Sequence, residues 1–152
     1  MREPALAPPS QIRIEPTAAR LERGKYRFET VTDCGGCNTR AEKGAPVVGM
    51  GFAGGFVFRF PGLRVRSANI SPDGETGIGA WNEQRFLGKF RDNAHFNESK
   101  LPATARTNFT LMLRLNYRNL LDNDLRAIYA YLSTVTPMRN KVEVHPLVAS
   151  GS

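Results

Sequence analysis

The stretch TAARLERGKYRFETVTDCGGCN, residues 17–38, decides the architecture. Leu21, Gly24, Phe28 and Val31 recur at steps of three and four, which places them on one face of a helix running from about Thr17 into Val31. Gly24 lowers helix propensity on that face, so its expected use is to let another backbone or an aromatic ring approach closely. Directly after the helix stand Cys34 and Cys37, two thiols separated by two glycines. Such a pair can form a disulfide, hold a metal or, when a histidine follows, attach haem through two thioethers. Asn38 follows instead. Zinc would need two further ligands, and His95 and His145 lie outside any familiar Cys/His spacing. A thioredoxin-type pair needs a preceding strand in a βαβ context, and the helix reading gives none.

Outward from this stretch the chain divides unevenly. Residues 1–16, with Pro4, Pro8, Pro9 and Pro16, read as an extended N-terminal arm. Residues 17–140 form the folded domain, and 141–152 a C-terminal tail. The segment from Gly35 to Ala80 carries most of the glycines and little helical period, so it reads as loops with a short extended pair around Gly55–Phe60 and Leu63–Ser67. A long irregular stretch inside a compact domain is usually functional or wrapped around something. Asn82 can cap a helix from Glu83 to about Arg91, with Phe86, Leu87 and Phe90 turned inward. Leu125, Ile128, Tyr129, Leu132 and Val135 mark the core face of a last helix that starts near Asp122 and is ended by Pro137. The expected class is all-α with long Gly/Pro-rich loops.

Composition narrows the function. A chain of 152 residues with 41% hydrophobic and 23% charged residues can bury one core and is not wholly disordered. Its most apolar stretch, Gly44 to Phe58, is broken by Pro46 and further glycines, so nothing in it spans a bilayer as a helix. The net charge of +7 favours acidic partners. That excess is spread along the chain with no Lys/Arg block or aromatic-interleaved RNA motif, so nucleic acid is not the expected partner.

Several pieces occur in a fixed order: Arg23-Gly-Lys-Tyr26 leading into Asp33-Cys-Gly-Gly-Cys37, then Ala53-Gly-Gly55, then Ser67-Ala-Asn-Ile-Ser-Pro-Asp-Gly-Glu-Thr-Gly-Ile-Gly-Ala-Trp81, then Asn116-Tyr-Arg-Asn-Leu120 and Asp124-Leu-Arg-Ala-Ile-Tyr-Ala-Tyr-Leu132. In order and spacing they resemble the bacterial cytochrome c family over about residues 17 to 140. The resemblance implies a cytochrome c-like fold in which the N-terminal helix ends at the attachment motif, the C-terminal helix crosses it, and haem c lies among the long loops. The 17–31 helix should then pack across the 122–135 helix, with Gly24 closest to Tyr129 or Tyr131.

Carried over residue by residue, the resemblance makes Cys34 and Cys37 the haem thioether positions, Met112 the distal iron ligand, and Asn38 the occupant of the proximal histidine position. Leu113-Arg114-Leu115 replaces the family's proline- and tryptophan-containing segment. Asp122 stands in as the cap of the last helix, where Leu121 and Asn123 depart from the usual residues. Iron in a His/Met site depends on an imidazole nitrogen, and a carboxamide oxygen is a poor replacement. Two expectations follow. One is a haem-free pseudo-cytochrome that serves as a binding or assembly module for a partner protein, in a redox or membrane-associated complex with an acidic surface. The alternative is a one-electron carrier with haem c on Cys34 and Cys37, Met112 and a substitute axial ligand. Without haem, Cys34 and Cys37 are a disulfide in an oxidising compartment or free thiols in a reducing one, and Met112 is an ordinary methionine.

Other patterns carry less. Gly49-Met-Gly-Phe-Ala-Gly54 matches the dinucleotide fingerprint, but Phe56-Val-Phe-Arg-Phe-Pro61 follows it rather than a helix. Asn97-Glu-Ser99 and Asn108-Phe-Thr110 match glycosylation sequons, which mean little in a bacterial protein. No Ser/His/Asp set or carboxylate pair stands out, so no enzymatic activity is expected. The family implies an extracytoplasmic location after removal of a signal peptide, and a cytosolic one if Met1 is the native start.

Overall fold

The structure, a computed structural model, describes residues 17–60, 63–91 and 117–146. The arm 1–16, Met112 and the 113–115 segment, His95 and both sequons lie outside the described residues, as does the end of the tail beyond 146.

Helix α1 covers Ala18–Tyr26, and Thr17 caps it by accepting the Arg20 N–H at 3.3 Å. The expected single helix to Val31 changes pitch: Arg27–Val31 is a π-helical turn. Its ending is visible in the Thr32 N–H, which donates five residues back to the Arg27 carbonyl at 2.9 Å. Helix α2, Cys34–Cys37, follows at once. Helix α3 spans Glu83–Arg91, and Asn82 accepts the Arg85 N–H at 2.8 Å as the cap reading required. Helix α4 spans Asp122–Leu132 with Ser133 as its C-cap, three residues short of the Val135 end of the apolar pattern.

The all-α expectation is corrected by two antiparallel two-stranded sheets, β1 (Ala41–Glu42) with β2 (Ala45–Pro46) and β3 (Val57–Phe60) with β4 (Leu63–Arg66). The first is a hairpin whose two connecting residues, Lys43 and Gly44, both have positive φ, 51° and 81°, as a type I′ turn needs. The second pairs Val57 with Arg66, Phe58 with Val65, Arg59 with Arg64 and Phe60 with Leu63. Its aromatic and β-branched alternation has a period of two, the pattern of a half-buried ribbon. Helical period in the flanking segments dictated the class; β3–β4 forms where the extended pair was expected, and together with the unexpected β1–β2 hairpin it changes that class.

The core gathers Phe28, Ile78, Phe86, Phe90, Leu125, Ile128 and Leu132, all buried. Phe86 and Phe90 face inward as expected, with Leu87 partly buried beside them. Helices α1 and α4 cross at Gly24. A Cβ there would lie 2.0 Å from the Ala127 carbonyl oxygen and 2.9 Å from Tyr131 Cβ. Tyr131 is therefore at the crossing, but the nearest group is the Ala127 backbone. Tyr129 points elsewhere, packing on Phe86 at 5.4 Å and donating its hydroxyl to the Trp81 carbonyl at 2.7 Å.

Charge closes the same interface. Asp124, almost fully buried, accepts from Arg23 Nε at 2.6 Å, and Arg27 Nε lies 3.3 Å from the same oxygen without hydrogen-bond alignment. Glu83 of α3 takes Arg20 at 2.8 Å and also pairs with Arg126. The cap assigned to Asp122 is corrected: Leu121 is the N-cap residue and makes no side-chain bond, while the Asp122 carboxylate accepts from Arg91 at 2.5 Å. The arginine also donates to the Leu120 and Arg118 carbonyls, so it ties α3 to the chain just before α4.

Candidate functional site

The thiol pair sits where α1's continuation ends, and the geometry there follows from the π turn. Thr32, buried, donates its hydroxyl to the Arg27 carbonyl at 3.0 Å, so that one carbonyl receives both the backbone and the side chain of Thr32. Asp33 then takes a left-handed backbone, φ 46° and ψ 37°, and accepts the Gly36 N–H at 3.2 Å, which starts α2. Asp tolerates this conformation better than most residues with a side chain. Cys34 and Cys37 are thereby one helical turn apart, and both are free thiols.

The two thiols differ. Cys34 Sγ lies 2.9 Å from Thr32 Oγ1 and packs against the aromatic core. Burial pushes its pKa up to about 11, an effect only partly offset by the Thr32 hydrogen bond. Cys37 is more open, and burial followed by the Asp33 charge raises its pKa. Tyr117 roofs the same corner and donates its hydroxyl to the Thr32 carbonyl; burial, with Cys34 next, lifts the phenol to about 12. Phe52 covers the other side. Its ring meets Phe28 edge-on at 4.9 Å, and a Cβ on Gly35 would lie 2.9 Å from Phe52 Cε1.

Since the thiolate is the nucleophile, a pKa near 11 leaves Cys34 about a hundredfold less ionised at pH 8 than an ordinary thiol of pKa 9.0. Iodoacetamide should therefore label Cys37 first. Attack of Cys34 on the reagent, with loss of iodide, should be about a hundredfold slower than that of a free thiol and should accelerate as pH climbs toward 11. Peptide mapping of single-label product checks this; equal labelling of both thiols at pH 8 contradicts the burial difference.

Asn38 donates its N–H to the Cys34 carbonyl at 2.9 Å as the cap of α2, and two further bonds fix it. Its side-chain amide donates to the Ala68 carbonyl at 2.8 Å, and its own carbonyl accepts the Gly54 N–H at 2.7 Å. The second of these joins the α2 exit to the 52–55 loop. Beyond it lies a set of residues to which the sequence pattern assigned no role. Asn69, buried, donates to Thr76 Oγ1 at 3.1 Å and to the Met138 and Asn140 carbonyls at 2.7 and 3.2 Å, and accepts the Ser71 N–H at 3.0 Å. Ser71, fully buried, exchanges bonds with Met138. Asn140 returns the link by donating to the Ala53 carbonyl at 2.9 Å. The Ser67–Trp81 segment is thus a polar clasp that holds the chain after α4 against the loop beneath the thiols. Buried polar residues leave no periodic trace, so only their fixed order in the sequence marked them.

The residues present meet haem c in part. Cys34 and Cys37 are unbonded to each other and correctly spaced for thioethers. At the position that the resemblance gives to the proximal ligand the fit fails: Asn38 offers a carboxamide, and its amide is already committed to Ala68. Among the described residues no group of three or more His, Cys, Asp or Glu could hold a metal ion, and no helix is long and apolar enough to cross a membrane.

No protein-family model matches the chain. Curated relatives do. A nicotinate dehydrogenase subunit from Pseudomonas putida is 34% identical over 86% of this chain. The cytochrome subunit of fructose dehydrogenase from Gluconobacter japonicus is 28% identical over 79%, and the cytochrome c subunit of the quinone alcohol dehydrogenase from Gluconobacter oxydans 31% over 74%. The chain spans 10%, 23% and 21% of these three relatives. The two Gluconobacter relatives are thus cytochrome subunits of dehydrogenases, and a cytochrome c subunit implies haem c among the relatives.

Proposed function

We propose that this chain, homologous to the cytochrome subunits of dehydrogenases, is a haem-free pseudo-cytochrome that acts as a binding or assembly module for a dehydrogenase partner. The observation that carries this reading is Asn38. In the position of the family's proximal histidine stands a carboxamide whose nitrogen donates to the Ala68 carbonyl, so the group beside the thiols is spent on closing a loop. An amide offers iron a weak oxygen donor, where the family uses imidazole.

The chain is not itself catalytic in this reading. What it contributes is shape: a helix crossing, a polar clasp and a surface of net positive charge. Its place is extracytoplasmic, with the dehydrogenases whose subunits it resembles. There the free pair Cys34 and Cys37 faces an oxidising medium and stands ready to close as a disulfide.

The test is the purified full chain, exported through a signal peptide in cells that carry a cytochrome c maturation system. Expected is a colourless protein at its unadducted mass. A Soret band that survives acid extraction, with mass increased by one haem, would overturn the reading and restore the one-electron carrier.

A further inference from the structure

The β3–β4 hairpin has two unlike faces. Opposed residues of an antiparallel pair share a face, and alternate residues of one strand share it too. Phe58, Val65 and Phe60 therefore lie on one side. Val65 is buried there, and Phe58 packs on Phe56 at 4.9 Å. On the other side lie Val57, Arg59, Arg64 and Arg66, with Arg59 directly opposite Arg64. Like charges in that position destabilise a hairpin, and Arg66 adds a third cation two residues along the same face.

These arginines stand apart from the other described arginines. Arg20, Arg23, Arg27, Arg40, Arg91, Arg126 and Arg139 each pair with a carboxylate. Arg85 lies over the Trp81 ring at 4.6 Å, and Arg118 is engaged as well. Among the described residues no carboxylate meets Arg59, Arg64 or Arg66. The platform under them is fixed. Arg66 N–H donates to the Val144 carbonyl at 2.8 Å, Ser67 N–H to the Phe56 carbonyl at 2.9 Å, and Phe56 N–H to Ser67 Oγ at 3.0 Å. The repulsive pair is thus held in register by the clasp and the segment after α4.

We propose that the Arg59–Arg64–Arg66 face of this hairpin is the docking surface for a carboxylate-rich patch on a partner protein. The planar guanidinium fork suits bidentate pairing with carboxylates, and a partner's Asp and Glu would relieve a repulsion that the isolated chain leaves standing. A single-stranded nucleic acid would need aromatic rings beside the cations for stacking, and a bilayer would need an apolar outer face; here the phenylalanines occupy the opposite side. The inference deepens the assembly-module reading and rests on it only for calling that partner a dehydrogenase.

Binding of the full-length protein to poly-L-glutamate tests it, alongside phosphatidylglycerol vesicles and a single-stranded oligonucleotide. Arg59→Gln/Arg64→Gln/Arg66→Gln should weaken binding to polyglutamate by about tenfold and flatten its salt dependence. Lys25→Gln/Lys43→Gln/Lys141→Gln, which removes the same charge from exposed positions elsewhere, should change it by less than about threefold. Equal losses in the two triples would reduce the effect to net charge and overturn the proposal. So would a hairpin-specific loss seen only with vesicles or only with the oligonucleotide. Arg64→Glu alone supplies a second reading: the melting midpoint should rise while polyglutamate binding falls, and a lowered midpoint would refute the unrelieved repulsion. A chain found to carry haem would leave these results standing and overturn only the haem-free reading.

Discussion

Gly24→Ala should lower stability by about 3 kcal/mol or more, a fall of roughly 10 °C in melting temperature for a domain of this size. The added methyl would sit 2.0 Å from the Ala127 carbonyl oxygen, 2.6 Å from its carbon and 2.9 Å from Tyr131 Cβ. None of these atoms can step aside, because two are α4 backbone and the third is attached to it. Alanine's advantage over glycine in a helix, about 1 kcal/mol, acts in the opposite direction and is outweighed. Gly88, inside α3, provides the control. A Cβ there meets nothing within 4 Å, so Gly88→Ala should stabilise by up to about 1 kcal/mol. Urea titrations followed by the single tryptophan, Trp81, would measure both. A Gly24→Ala protein as stable as the parent would mean that α1 and α4 do not cross at that point.

The second large effect concerns colour. Asn38→His, exported with a maturation system, should yield protein with covalent haem where the parent yields none. The two cysteines are already one turn apart and started into helix by Asp33. What the substitution removes locally is one hydrogen bond, the 2.8 Å link to the Ala68 carbonyl; the bond from Gly54 to the Asn38 carbonyl is backbone and persists. The lost bond costs about 1 kcal/mol, too little to unfold the clasp around Asn69. A colourless Asn38→His protein of normal stability would shift the block from the missing imidazole to the packing, with Phe52 against Phe28 and Gly35 as the first suspects. Phe52→Ala in the same background would then separate the two causes.

Much of the scaffold was legible because it is written in periods and caps. Steps of three and four found α1 and α4, a glycine on the α1 face announced the crossing, and Asn82 before an aromatic-rich run announced α3. Where two reasonable rules competed, the reading failed. Asp122 looked like a cap, yet its carboxylate is drawn to Arg91, a charge 31 positions earlier that no local rule weighs. Tyr129 and Tyr131 were equal candidates at the crossing, and only the rotation of α4 chooses between them. The β3–β4 pair was legible as an extended pair, but four residues of alternation were too few to change the class against the helices around them, and the two-residue strands of β1–β2 carry no alternation to read. At the site, the thiols and Asn38 were read directly from the motif, whereas Phe52, Tyr117 and Asn69 act through contacts made at long range in sequence, and Thr32 through a hydroxyl that the motif does not include. Met112, assigned from the resemblance, lies outside the described residues.

The π-helical turn between α1 and the thiols has a consequence for phase. Each residue of an α-helix advances the chain by about 100° around the axis, so the extra backbone length that a π turn accommodates rotates everything after it relative to everything before. Gly24 faces α4, Cys34 packs on the core under Tyr117, and the π turn lies between these two contacts. Arg27–Val31 works as a gear between two fixed dials. Deleting Thr30, an exposed residue within it, would take out no core side chain yet would swing the thiol pair about a quarter of a turn away from its pocket. The fault would be one of timing along the helix, with all the right side chains arriving at the wrong angle.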